Sequence, residues 1–378
     1  MNRKSLFILL SLLVVGSLVL TSCAQATECP ECPACPEAGE CPPCPEAAEC
    51  PECPKCPEAP AAAEERLAVI KARGKIICGC NAELPGFGYL NPQGEFEGFD
   101  VDFCIALAAA VFGDPNAVEY RPLTASERLP ALQTGEIDVL LRNTTWTLTR
   151  DAENDLNWGG VNFYDGQGMM VRKDSGFKTL EDMAGSTVCC TTGTTTEMNL
   201  ADAFRMRSVE YAPLLFESTQ DTNTAYEEGR CDGETSDKSQ LASLRGAMAD
   251  PDEHVILDVT MSKEPLGPLT AHGADEWNDV VRWVLWGILQ AEESGVTSAN
   301  VDQMLNSDNP TIQRLLGVSG EMGTSLGIPD DFMVHVLKAV GNYAEIYDRW
   351  LGPDGIDIPR GPNELWTNGG LMYPMAFR

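Results

Sequence analysis

Apolar and polar positions divide the chain into three zones. Leu6 to Leu20 form one apolar run, broken at Gly16, and residues 24–63 then hold almost nothing apolar to bury. From Arg73 onward, short apolar runs alternate with longer segments of mixed character. The run "KIICG" (75–79) predicts a strand. "DVDFCIALAAAVFG" (100–113) has an acidic start, an alanine-rich body and Gly113 as a stop, which predicts a helix. "VEYRP" predicts a strand, "ASERLPALQTG" a short helix ended by Gly135, and "IDVLL" (137–141) a further strand. A βαβαβ order of this kind implies a mostly parallel sheet covered by helices.

A second set follows. "GMMVRK" and "STVCC" (186–190) are strand-like, and "TTEMNLADAFRM" predicts a helix opening after Gly193. "APLLF", "CDGET", "HVILD" (254–258) and "LGPLTAH" (266–272) predict strands, with helices over "DTNTAYEEG" and "DKSQLASLRGAM". The chain then turns helical, in one segment over 276–295 and another over 330–352. The expected organisation is α/β and two-lobed: lobe one at 64–165, lobe two at 166–268, and 269–378 returning to lobe one before a helical C-terminal extension. Ligands in open α/β sheets sit beyond the carboxyl ends of the strands, and a cleft between lobes is a common pocket.

The first two zones set the compartment. Arg3 and Lys4 precede the apolar run, and "LTSC" closes it at Cys23, so residues 1–23 read as a secretory signal. The run is too short for a membrane span. "LTSC" resembles a bacterial lipobox, whose cysteine is lipidated after cleavage, and lipid chains anchor a protein without a spanning helix. In residues 24–63 Cys-Pro recurs at 29, 32, 35, 41, 44, 50, 53 and 56, interleaved with Glu. Such proline density favours extended, polyproline-like backbone, so the segment reads as a stalk. A cross-linked stalk ranks second. A CxxC metal site ranks third, because no histidine accompanies the repeats.

The remaining ~315 residues can bury a large core. The formal net charge is −31; losing Arg3 and Lys4 would leave 24 basic against 57 acidic residues, or −33. A nucleic-acid binder needs a basic face, and none is evident. Six cysteines remain in this part, at 78, 80, 104, 189, 190 and 231. Outside the cytosol some of them should pair.

The candidate chemistry begins at "RNTTWTLTR" (142–150), past the end of a strand. On extended backbone Asn143, Thr145 and Thr147 face one way and Trp146 the other, into packing. Arg150 can offer two donors to a carboxylate, with the Thr145 hydroxyl beside it; a structural salt bridge is the alternative. "CCTTGTTTE" (189–197) joins a strand to a helix, whose first N–H groups can hold an anion; Thr195 and Glu197 are alternatively only capping residues. Asp237 in "CDGETSDKS" follows a strand and precedes a helix. It is either an N-cap or a carboxylate aimed at an ammonium. An anion site shared between lobes and a cation site in lobe two match an α-amino acid zwitterion. Catalysis has little support: the only histidines are 254, 272 and 335, with no H-E-x-x-H and no Walker loop. No cofactor and no metal are implied.

From about Leu67 to Arg378 the chain resembles the polar amino-acid-binding proteins of ABC importers, the type II periplasmic-binding fold, and within them the general L-amino-acid-binding branch. The resemblance rests on "GEFEGFDVDFCIALAAAVFG", "RLPALQTGEIDVLLRNTTWTLTRD", "GTTTEMNLADAF", "GRCDGETSDKSQLA", "EWNDVVRWVLWGILQAEESGVTSANVD" and "NGGLMYPMAFR". It implies that Arg150 clamps the ligand α-carboxylate beside Thr145, with Asn143 a neighbouring contact and Thr195 binding from lobe two. Asp237 would accept the α-ammonium. Arg128 matches the position where relatives with acidic ligands read the side chain; a surface helix arginine is the alternative. Ala125 stands where several relatives stack an aromatic, which suits breadth. The resemblance also implies disulfides from Cys78 or Cys80 to Cys104, and from Cys189 or Cys190 to Cys231.

The function expected is a lipid-anchored, extracytoplasmic binding protein that takes L-amino acids to permease subunits, with polar or acidic ones preferred and no nucleic-acid partner. Two rivals are weighed against it. An amino-acid-precursor dehydratase on the same fold would need a further acid or base, Glu83 being the nearest candidate. A sensor module usually has a spanning helix and a signalling domain, and the chain ends at "MAFR" without either.

Overall fold

The structure is a computed structural model that describes residues 65–378; the expected signal with Cys23 and the Cys-Pro segment expected to form a stalk lie outside the described residues. The first sheet forms around Ile76–Cys80, which pairs in parallel with Val118–Pro122 on one side and Val139–Leu140 on the other. Leu269–Ala271 then enters antiparallel to Val139–Leu140, and Leu156–Trp158 closes that edge. The sheet is therefore mixed, its late strand arriving from far down the chain. Of the run 137–141 only Val139–Leu140 keeps ladder geometry.

The helix Phe99–Phe112 is buried almost all round, as expected of a helix without a polar face. Its neighbours are the C-terminal helices. These depart from expectation: the segment 330–352 is two helices, Phe332–Val340 and Tyr343–Trp350. Gly341, at φ 84°, turns the chain out of the first. Asn342 then caps the second in a reciprocal box with Glu345, a pattern that satisfies otherwise orphaned N–H groups. "LGPLTAH" is likewise split, into Glu264–Leu266 and Leu269–Ala271. Gly267 makes the break: a Cβ there would stand 2.0 Å from the Gly160 carbonyl oxygen.

The second sheet runs Ala212–Phe216, Thr187–Thr191, Gly233–Asp237, Gln167–Arg172, His254–Ile256. The first three are parallel, and Gln167–Arg172 is antiparallel to both its neighbours. Between the sheets the chain passes twice, as Phe163–Asp165 and Glu264–Leu266, which pair antiparallel with each other. Each lobe carries one disulfide, Cys78–Cys104 and Cys189–Cys231. Cys80 and Cys190 are left as buried thiols, which burial pushes up to about 12. Among the described residues no helix is long and apolar enough to cross a membrane.

Candidate functional site

Both sheets present the ends of their strands to one narrow polar cavity of about 30 Å³, water-sized with the lobes in this arrangement. Lobe one supplies Ala125, Arg128, Arg142, Asn143 and Thr145. Lobe two supplies threonines 191, 194, 195, 196, 219 and 235, followed by Ser236, Asp237 and Gln240. The wall is thus mostly hydroxyl, with three charged side chains.

Asp237 ends the strand Gly233–Asp237 and stands at the N-cap of the helix Lys238–Ala247, yet its side chain makes no capping bond. Asp165 does that work instead, its Oδ2 accepting the N–H of Ser239 at 3.2 Å. Asp237 is left 6% exposed, and no hydrogen bond from the described residues bears on its carboxyl. Burial, then the like charges of Asp165 and Glu264, push it well above the usual carboxylate range, with Arg128 and Arg150 pulling the other way. A buried carboxylate without a partner is costly, so this one is suited to a cation.

Arg128 begins a short helix, Arg128–Gln133, and is 3% exposed rather than on the surface. Its Nη1 donates to the Arg142 carbonyl at 3.1 Å, and its Nε has no partner. Burial holds the guanidinium well below its ordinary value, with Arg150 and Arg142 adding to the shift. Asn143 is not on extended backbone. It sits at φ 33°, held by its N–H donating to Asp100 Oδ2 at 2.8 Å, while its Nδ2 reaches Gln240 Oε1 across the cleft at 3.3 Å. The threonine run is therefore kinked. Thr145 faces the cavity, Thr147 an adjoining groove, and Trp146 stacks on Trp158 at 5.5 Å while staying 37% exposed.

Arg150 lies beside the cavity rather than in its wall. It lines the adjoining groove, which shares Thr194 and Thr195 with the cavity. Its Nη1 donates to the Thr145 carbonyl at 2.9 Å. Burial lowers its pKa, while Glu264 and Asp237 oppose that shift. The helix Thr195–Met206 is capped by Thr194, whose hydroxyl accepts the Glu197 N–H, and Glu197 folds back to the Gly193 N–H at 3.2 Å. Thr195 is thus released from capping. Its hydroxyl donates to Glu264 Oε2 at 3.2 Å, and the Thr145 hydroxyl donates to the same oxygen at 2.5 Å.

Glu264 is the residue that sequence reasoning missed most completely. It comes from a connecting strand more than a hundred residues beyond Thr145, with no local signal. Arg142 was visible as the first residue of the run but was given no role. Gln240, three residues after Asp237 and so on the same helix face, could have been found by spacing. Glu83 lies outside the cavity, its Oε2 accepting the Gln220 N–H at 3.3 Å. Residues 323–327 (GTSLG) match the G-x-S-x-G spacing of a nucleophile elbow, but Ser325 closes a four-residue helix and donates to the Glu321 carbonyl. Among the described residues no group of acidic, His and Cys side chains could hold a metal ion.

Two α/β lobes, joined by a strand pair and enclosing a polar cavity at their strand ends, define the two-lobed solute-binding proteins of type II periplasmic-binding fold. The chain belongs to the bacterial extracellular solute-binding proteins, family 3, whose pattern it matches over residues 76–353. It is 49% identical over 84% of its length to the general L-amino acid-binding periplasmic protein AapJ of Rhizobium johnstonii, covering 94% of that protein. It is 45% identical to the glutamate/glutamine/aspartate/asparagine-binding protein BztA of Rhodobacter capsulatus, over 84% of this chain and 95% of that one. A solved structure of an ABC transporter periplasmic binding protein from Brucella ovis with glutathione bound superposes with TM-score 0.82 at 47% identity, over 84% of this chain and 100% of the other.

Proposed function

We propose that this protein captures L-amino acids outside the cytoplasmic membrane and passes them to the permease of an ABC importer. The observation that carries the reading is Asp237, a buried carboxylate at a helix start that caps nothing and faces guanidinium groups across the cavity. It takes the α-ammonium. The α-carboxylate lies between Arg150, Thr145 and Thr195, whose hydroxyl protons turn from Glu264 to the ligand; a hydroxyl can donate in only one direction at a time. Asn143 lies alongside, and Arg128 reads the far end of the side chain. The names of the relatives AapJ and BztA, both amino-acid-binding, support the same ligand class.

Capture proceeds by lobe closure. Contacts across the cleft, Asn143 to Gln240, Ser126 to Glu217 at 3.0 Å and Ser243 to the Pro85 carbonyl at 2.6 Å, form only when the lobes meet. A ligand favours that arrangement only through contacts it makes in no other. Residues 1–23 act as a lipoprotein signal, Cys23 as the anchor and 24–63 as the stalk. Lobe one spans 64–165 and lobe two 166–268, with 269–378 completing lobe one.

The reading is tested by thermal shift of the full chain, stripped of ligand by unfolding and refolding, against all L-amino acids and several D-forms. A ligand at a hundred times its dissociation constant stabilises by about 2.7 kcal/mol. Shifts with L-forms are expected. Shifts only with a sugar or a metal would remove the assigned roles of Arg150 and Asp237.

A further inference from the structure

Glu264 serves the cavity without lining it. Thr145 and Thr195 are in the cavity wall, whereas Glu264, 1% exposed, borders a separate groove. Its carboxylate is divided between two duties. Oε1 accepts Asn199 Nδ2 at 2.8 Å and also the Ser262 hydroxyl. Asn199 stands one turn after Thr195 on the same face of its helix. Oε2 is thereby delivered to the two threonines, accepting the Thr145 hydroxyl at 2.5 Å and the Thr195 hydroxyl at 3.2 Å. These hydroxyls come from opposite lobes, and their oxygens lie 3.4 Å apart. Apart from each other, they meet no acceptor but Glu264 among the described residues.

Glu264 is also the strongest opposite charge acting on the buried Arg150. Arg150, Thr145 and Thr195 are the groups assigned above to the ligand α-carboxylate, so one anion of the protein already answers all three. A hydroxyl has a single proton to give. While Oε2 takes both, the threonines turn only lone pairs to the cavity, and an arriving carboxylate meets acceptors. Like charges brought together in a buried site also oppose each other's ionised forms.

We propose that Glu264 is a positioning residue that holds the α-carboxylate donors in the ligand-free protein, so that a ligand must win them from it. Affinity is thereby set below what the same donors would give alone. The inference rests on the amino-acid reading of the cavity and adds to it an internal competitor.

The test is calorimetric titration of the ligand-stripped full chain with L-glutamate, L-glutamine and L-alanine, on the natural protein and on Glu264→Gln. Gln keeps the shape of the side chain. Its Oε1 can still accept Asn199 and Ser262, while Nε2 donates to the threonine oxygens and leaves both hydroxyl protons to the ligand. Binding of all three amino acids is expected to tighten at least ~5-fold. The thermal midpoint of the ligand-free variant is expected to fall, because Arg150 loses its counter-charge. A merely structural Glu264 would lower stability and affinity together. Glu264→Asp, one methylene shorter and still charged, draws the acceptor back from the hydroxyls and should tighten binding by a smaller factor. Unchanged or weaker binding in Glu264→Gln overturns the proposal, as does the same result in Glu264→Asp should the Gln variant not fold. If the natural protein binds none of the three, the amino-acid reading itself falls, and this inference with it.

Discussion

Arg150 and Asp237 are taken out of water by different means. Arg150 keeps one donor on the Thr145 carbonyl and has Glu264 near it, whereas the Asp237 carboxyl has charged neighbours but no donor. Removing one partner of a buried charged pair costs roughly 2–5 kcal/mol. Arg150→Ala is therefore expected to weaken amino-acid binding well over tenfold, read by titration; unchanged affinity would remove it from the clamp. Asp100 gives a prediction in pH. Burial raises it to about 6, against the pull of the Asn143 N–H and the Arg142 charge. A folded-state value above the unfolded one means that protonation favours the native state. The contribution is complete below pH ~4 and lost as pH rises through ~6, an effect of about 3 kcal/mol at most. Asp100→Asn should flatten that stretch of the urea-midpoint profile; an unaltered profile would show that Asp100 titrates normally. At this scale the sequence was informative where a side chain's neighbours are local. Asp237 was legible as the junction of strand and helix. Its release from capping was not, because the group that takes over, Asp165, lies more than seventy residues earlier.

The elements read correctly are those whose apolar pattern and stop signals agree. Thr195–Met206 and Ala212–Phe216 coincide with their predicted segments, and Phe99–Phe112 ends at Gly113 in the left-handed region, as its glycine implied. The errors fall where one hydrophobic stretch serves two elements. The C-terminal pattern continues across Gly341 and Asn342 because both helices bury the same kind of face, so periodicity alone could not show the break. The signal was present in the Asn342-to-Glu345 spacing. Asn342 is 4% exposed, and its Nδ2 also donates to the Val296 carbonyl at 2.8 Å. Asn342→Ala should destabilise by about 1–2 kcal/mol, seen as a lower urea midpoint with unchanged slope; a shift below ~0.3 kcal/mol would mean the cap contributes little.

The two-lobed plan followed from the alternation of runs, but the mixed order of each sheet did not, since pairing between distant strands leaves no periodic trace. The proposed anchoring through Cys23 also belongs to the whole molecule. Cys23→Ala is expected to abolish incorporation of labelled fatty acid and to release the protein from membranes; persistent labelling would place the lipid elsewhere or show that another cysteine serves. The path of the chain through the first sheet bears on how the protein is made. Leu269–Ala271 fits between Val139–Leu140 and Leu156–Trp158, strands that leave the ribosome more than a hundred residues earlier. The second sheet needs only residues 167–256. A nascent chain can therefore assemble its later lobe while the earlier one still lacks the strand next to its edge. A fragment ending at residue 258 should show amide protection in the second sheet and little in the first, and protection in both would refute this order. If that order holds, the amino-terminal half stays open until the last third of the polypeptide emerges, and a chain in that state can still be threaded through a narrow channel.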